Sequence, residues 1–143
     1  MNARGGVLAV DHGDRHTGFA FADALGITQT PLSTYHGPGD GEGLLEHVAA
    51  LLEERDVGTF VVGLPLNADG SEGARCAAVR AFAARLGERF PRARIALQDE
   101  HLTSKAAEER LSELGRGGRA GRAQRDAYSA LILLEDWLRA QLR

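Results

Sequence analysis

The sequence is poor in cysteine and in long apolar runs, and each shortage excludes a class of protein. Its 143 residues include one cysteine, Cys76, so an intrachain disulfide and a cysteine-rich zinc site are excluded. No apolar run approaches the roughly 20 residues that a membrane helix needs, and the N-terminus lacks a basic-then-apolar signal pattern. We therefore expect no membrane association and a cytoplasmic location.

Two nucleotide-binding motifs are also missing. The sequence has neither G-x-x-x-x-G-K-[ST] nor a G-x-G-x-x-G run after a strand, which leaves a P-loop or dinucleotide fold without support. A net charge of -3 argues against a protein that coats nucleic acid over its whole surface. Binding of nucleic acid by a local basic region remains compatible with that net charge.

What is present is an ordinary globular composition in the length of one domain, taken as residues 1–143. Alternating and continuous apolar runs predict strands, and apolar residues at helical spacing predict helices. The expected order is βββαβαβαα, an α/β fold with helices covering the sheet. The strands are placed at 7–11, 17–22, 31–35, 59–63 and 94–98, and the helices at 43–56, 72–90, 103–114 and 123–142, with 115–121 as a loop.

Acidic residues recur at the ends of the predicted elements. Asp11 ends the first strand, Asp99 and Glu100 end the last, and Asp126 lies near the start of the final helix. Ligands bind at the carboxyl ends of strands in open α/β sheets, and the carboxylates converge there if the first and last strands are neighbours. Taken singly, each acid is equally well explained as a turn or helix cap.

A converged set of carboxylates predicts a divalent metal site. Like charges repel unless cations enter, and Mg²⁺ and Mn²⁺ prefer oxygen ligands. A pair of such ions about 3.5 to 4 Å apart can activate water and stabilise the leaving oxygen in phosphodiester cleavage. His12 and His16 lie in a glycine-bracketed turn, so we interpret them as surface or substrate-side residues and not as zinc ligands.

Basic residues supply the candidate nucleic-acid contacts. Four arginines recur every third residue through a glycine-rich segment, either as a solvated loop or as a phosphate clamp beside the acidic site. The candidate nucleic-acid-binding set is Arg15, His16, Lys105, Arg116, Arg119, Arg122 and Arg125.

Four ordered blocks of sequence resemble the YqgF/RuvX family. They are LAVDHGDRHTGFAFAD (8–23), VVGLP (61–65) with DGS (69–71), DEHLTS (99–104), and Asp126 followed by AYSA. The resemblance implies an RNase H-like fold with a five-stranded mixed sheet flanked by helices. It implies a metal-dependent nuclease in which Asp11, Glu100 and Asp126 are catalytic and bind the ions, and Asp99 supports them.

The resemblance implies one of two substrates: the 5′ end of the 16S rRNA precursor, or branched DNA such as a Holliday junction. A homodimer suits a symmetric four-way junction. His16 and His101 stand where the family commonly has basic residues, which affects phosphate contacts but removes no carboxylate. Two alternatives stay open: an actin-like ATP-binding or phosphate-binding domain, suggested by Asp11-x-Gly13 before a hairpin, and a non-catalytic nucleic-acid-binding factor.

Overall fold

The computed structural model describes residues 5–100, 109 and 118–142, with side chains described from residue 125 onward in the last of these segments. Six strands and three helices lie in the described part of the chain. In order they are β1 (Gly6–Asp11), β2 (His16–Ala22), β3 (Gln29–Pro31), β4 (Tyr35–His36), α1 (Glu42–Glu53), β5 (Val57–Leu64), α2 (Ala74–Arg89), β6 (Arg94–Asp99) and α3 (Gly118–Gln141).

The strands form one mixed sheet in the order β3-β2-β1-β5-β6, with β4 also pairing to β2. Strands β1, β2 and β3 are joined antiparallel, whereas β1, β5 and β6 run parallel. The predicted mixed α/β sheet and its opening hairpin are confirmed. The carboxyl ends of β1, β5 and β6 consequently share one edge of the sheet.

Two predicted elements are wrong in their bounds. The expected strand at 31–35 is replaced by two short strands, β3 and β4, which pair with opposite halves of β2. The last helix begins at Gly118 and not near Ala123, so the second half of the expected loop at 115–121 is helical. The alanines, arginines and glutamine that follow Gly118 are good helix formers, which offsets the cost of the glycines. The expected helix at 103–114 falls, except for residue 109, outside the described residues.

Side chains of the central strands alternate between two apolar layers. Leu8 and Val10 of β1 pack with helices α1 and α2, and Val7 and Ala9 pack with α3. Successive side chains on a strand point to opposite faces, so Asp11 continues the row of Val7 and Ala9. The first acid therefore lies at the carboxyl end of β1 on the face that α3 covers.

Cys76 is buried on α2, and its thiol donates to the backbone oxygen of Pro65 at 3.3 Å, as expected for a packing residue. No helix in the described ranges is long and apolar enough to cross a membrane.

Candidate active site

Asp11 and Glu100 bring their carboxyl groups within hydrogen-bonding reach of each other, and the two are here called the carboxylate pair. Burial is the largest cause that raises the pKa of each carboxyl group, and the charge and hydrogen bond of Glu100 raise the pKa of Asp11 further. Two carboxyl groups can share a hydrogen bond only if one carries a proton. The pair therefore concentrates negative charge that it cannot hold in full without a counter-ion.

Gly63 explains how Asp11 and Glu100 meet, because strands β1 and β6 are not neighbours. On the sequence alone, the convergence of these acids depends on β1 and β6 being neighbours. That condition was wrong, since β5 lies between the two strands. Val10 pairs with Val62, which puts Asp11 beside Gly63. A Cβ atom on Gly63 would lie 3.0 Å from Cδ of Glu100, and still closer to its Oε2. The Glu100 carboxyl group thus occupies the space above Gly63 and reaches Asp11 across the middle strand.

Gly18 plays the corresponding part on the other side of Asp11. It pairs with Asp11 in the antiparallel ladder of β1 and β2. A Cβ atom on Gly18 would overlap the backbone carbonyl carbon and oxygen of Asp126. The missing side chain lets α3 lie directly on β2. Asp126 is then close enough for its charge to raise the pKa of Asp11.

The three predicted acids are therefore gathered around one strand end, with two in contact and the third in electrostatic range. Within residues 5–100, 109 and 118–142, no group of three His, Cys, Asp or Glu side chains is already arranged to hold a metal ion. The donor chemistry nevertheless fits a hard divalent cation. The donors are all carboxylate oxygens, and a cation bound between Asp11 and Glu100 would relieve the repulsion that raises the pKa of Asp11.

Arg75, in the first turn of α2, faces the carboxylate pair from the opposite side of the sheet. Its charge lowers the pKa of both Asp11 and Glu100 and so opposes the effect of burial. Its Nη2 donates to the backbone oxygen of His12 at 2.8 Å, and its Nη1 donates to Asp14 at 2.5 Å. Nothing in the sequence distinguished this arginine from others on the same helix.

His12 is not the surface or substrate-side residue that the sequence suggested. It is 6% exposed, its ring stacks on Phe82 at 4.6 Å, and its Nε2 lies 2.8 Å from the backbone oxygen of Gly39. The position continues the row of Leu8 and Val10, which faces α2, and this alternation was the available signal. Burial is the largest cause that lowers the pKa of His12, consistent with a neutral ring.

The other predicted residues are spread around this centre. Asp99 is exposed to solvent. Its charge raises the pKa of Glu100, so its effect on the carboxylate pair is electrostatic. Arg15 and His16 are exposed on the turn and strand that follow Asp11, and the Nδ1 atoms of His16 and His36 lie 2.8 Å apart. Arg125 is half-buried on α3, which also contains Arg119 and Arg122; Lys105 and Arg116 lie outside the described residues.

A family comparison matches nearly the whole chain. The RuvX model, described as Holliday junction resolvase, matches residues 5–140. A protein of Anaeromyxobacter sp. (strain Fw109-5) named "Putative pre-16S rRNA nuclease" is 43% identical over 132 residues, which cover 92% of this chain and 94% of that protein. A protein of the same name from Sodalis glossinidius (strain morsitans) is 39% identical over 138 residues, or 96% of each chain.

Solved structures match the same fold at low sequence identity. The structure of T. thermophilus RuvC in complex with a Holliday junction substrate has a TM-score of 0.53 at 12% identity, covering 94% of this chain and 95% of that chain. A second Thermus thermophilus RuvC structure has a TM-score of 0.54 at 11% identity, covering 95% and 96%. The fold is RNase H-like, as predicted.

Proposed function

This chain belongs to the RuvX family of Holliday junction resolvases, and on that premise we propose that it is a metal-dependent nuclease that matures the 5′ end of the 16S rRNA precursor. The activity is assigned to one domain over residues 1–143. The names of the relatives at 43% and 39% identity support this choice of substrate. The observation that carries the proposal of phosphodiester hydrolysis is the half-buried carboxylate pair of Asp11 and Glu100.

The pair supports a nuclease because its arrangement is costly for folding. Buried carboxylates that repel each other destabilise a fold unless a cation or a proton compensates them. Neither a turn cap nor a helix cap requires two acids from distant strands to meet over a glycine. Carboxyl groups whose pKa values are raised by burial and by neighbouring charges are typical of functional sites.

We assign Mg²⁺ or Mn²⁺, as a pair of ions, to Asp11, Glu100 and Asp126. Such ions activate a water molecule and stabilise the leaving oxygen of a phosphodiester. The protein contributes the three acids, a wall formed by α3 over Asp11, and the Arg75 charge that limits repulsion within the pair. Asp99 adds negative charge next to Glu100 in a supporting role.

The predicted nucleic-acid-binding residues are assigned to the phosphates of the substrate. Arginine and lysine side chains bind backbone phosphates without reading sequence, which suits an enzyme that recognises the shape of a folded RNA. Arg15 and His16 follow Asp11 on the adjoining turn and strand. The remaining members of the set are Lys105, Arg116, Arg119, Arg122 and Arg125.

A cleavage assay tests the proposal. The purified protein is offered a 16S rRNA precursor, a four-way DNA junction and single strands side by side with Mn²⁺. Asp11→Asn is the inactive comparison, and Asp136→Asn is the matched control, since Asp136 lies on α3 in an ion pair with Arg139. We expect the wild type and Asp136→Asn to shorten the precursor at its 5′ end and Asp11→Asn to leave it intact.

Other outcomes would replace this function with another. Binding of the RNA with steep salt dependence but no cleavage under any divalent ion would favour the non-catalytic factor. Calorimetric binding of ATP without cleavage would favour the actin-like domain. Equal cleavage by the wild type and Asp11→Asn would reject the catalytic role of the pair.

A second substrate, branched DNA, is supported by the description of the family and by the shared fold with RuvC. A four-way junction has two equivalent strands to cut, so this activity would call for a homodimer with paired sites. Cleavage of the junction in preference to the precursor, together with a dimeric mass in solution, would select it.

A further inference from the structure

We propose that Arg75 is a positioning residue that fixes the end of β1 and thereby aims the Asp11 carboxylate at Glu100. The inference rests on the proposed nuclease function. It assigns to α2 a part in the active site, although α2 lies on the sheet face opposite to α3 and supplies none of the three acids.

The guanidinium of Arg75 binds the chain directly after Asp11. Nη2 donates to the backbone oxygen of His12 at 2.8 Å and lies 3.1 Å from Nδ1 of the same histidine. Nη1 donates to the carboxylate of Asp14 at 2.5 Å. One planar side chain therefore holds a backbone atom, a ring atom and a carboxylate within three residues of the turn.

The histidine ring completes the attachment. Its Nε2 lies 2.8 Å from the backbone oxygen of Gly39, so that nitrogen carries the proton and Nδ1 accepts from Arg75. The ring also stacks on Phe82, which follows Arg75 by about two turns on the same face of α2. The segment after Asp11 is thus fixed to α2 and to the loop before α1, and the direction of the Asp11 side chain follows from that attachment.

These bonds favour positioning over a purely stabilising ion pair. The Asp14 side chain is 78% exposed, and an exposed ion pair contributes little to stability. Arg75 is only half-exposed, and its bond to the His12 carbonyl is partly buried. The Arg75 charge also lowers the pKa of both members of the carboxylate pair, which places the guanidinium within electrostatic reach of them.

Arg80 offers a matched control on the same helix. It forms a bidentate ion pair with Glu72, with bonds of 2.7 and 2.6 Å, and both partners are exposed. Arg80→Ala therefore removes an arginine and a salt bridge from α2 without touching the turn after Asp11.

The test compares Arg75→Ala, Arg75→Lys and Arg80→Ala in steady-state cleavage of the rRNA precursor. A catalytic group displaced by about 1 Å loses on the order of 100-fold in rate, so kcat of Arg75→Ala should fall by about that factor with KM within twofold of wild type. Lysine cannot bond His12 and Asp14 together, so Arg75→Lys should recover only part of the loss. Added guanidinium should raise kcat of Arg75→Ala and leave Arg80→Ala unchanged.

Amide hydrogen exchange supplies a readout that does not depend on activity. The turn at residues 12–14 should exchange at least about tenfold faster in Arg75→Ala than in Arg80→Ala, because its attachment to α2 is gone. If Arg75→Ala does not fold, the same two measurements on Arg75→Lys decide. A loss confined to KM, or an exchange rate and kcat equal to those of Arg80→Ala, would overturn the inference. If the wild-type protein cleaves none of the substrates, the proposed function is rejected. The hydrogen-exchange rates of the turn at residues 12–14 then decide alone whether Arg75 fixes that turn.

Discussion

Replacing Gly63 with alanine tests how the active site is assembled. The Glu100 carboxyl group lies in the space above Gly63, and only because that space is empty can it reach Asp11 from a strand that is not adjacent. A methyl group there would lie 3.0 Å from Cδ of Glu100 and 3.2 Å from Cδ2 of Leu133. The substitution therefore leaves both acids in the chain and disturbs only the contact between the Asp11 and Glu100 carboxyl groups.

The size of the effect follows from these distances. An ordinary contact needs at least roughly 3.4 Å, so the Glu100 oxygen nearest to Gly63 must withdraw by about 1 Å. A misplacement of about 1 Å costs on the order of 100-fold in rate. Stability should change little, by about 1 kcal/mol, because the atoms that must move are the ends of two side chains.

The assay is kcat for cleavage of the rRNA precursor, measured beside thermal unfolding. Gly87→Ala on α2 is the matched control: its new methyl group would lie 3.9 Å from Ile95 of β6, and an alanine within a helix should stabilise the protein by up to about 1 kcal/mol. We expect Gly63→Ala to unfold within about 4 °C of wild type while losing most of its activity. Full activity of Gly63→Ala would refute the reasoning that the two carboxyl groups must meet over this glycine.

Three further predictions concern stability. Gly18→Ala should destabilise the protein by about 3 kcal/mol in chemical denaturation, since its methyl group meets the backbone of Asp126, which cannot turn aside; an unchanged midpoint would contradict the close approach of α3. Asp11→Asn should stabilise the protein at pH 8, because a carboxyl group whose pKa is raised by folding binds more protons folded than unfolded, and its contribution is lost as pH rises from about 4 through the raised pKa. The gain should shrink toward pH 4, and a gain that is equal at both pH values would argue against the raised pKa. Thr17→Val should stabilise the protein by about 1 kcal/mol, because the buried Thr17 hydroxyl has no hydrogen-bond partner in the described part of the chain; a loss of stability would indicate a partner for that hydroxyl.

The sequence predicted the position of each acid along the chain but not the reason why the acids meet. Alternation along β1 assigns Asp11 to the face of Val7 and Ala9, and this needs only local spacing. The order of strands depends on pairing between distant segments, and β5 proved to lie between β1 and β6. A glycine within an otherwise apolar strand often marks the close approach of another group, which was the available signal for Gly63 near the end of β5.

Arg75 could not have been selected from the sequence. Its partners are a backbone oxygen, a ring nitrogen and a carboxylate more than 60 residues earlier in the chain. Such contacts follow from how α2 lies against the sheet and leave no periodic pattern. The short strands β3 and β4 escaped prediction for a related reason, since strands of two or three residues are defined by their partner β2.

The most direct test of the metal-dependent nuclease is the rate of 5′-end cleavage of the 16S rRNA precursor as Mn²⁺ is titrated. The carboxylate pair predicts a rate that rises from zero and saturates for wild type, and no cleavage at any Mn²⁺ concentration for Asp11→Asn. Cleavage by wild type that is unaffected by removal of divalent ions with a chelator, or a titration curve for Asp11→Asn that overlays that of wild type, would contradict it.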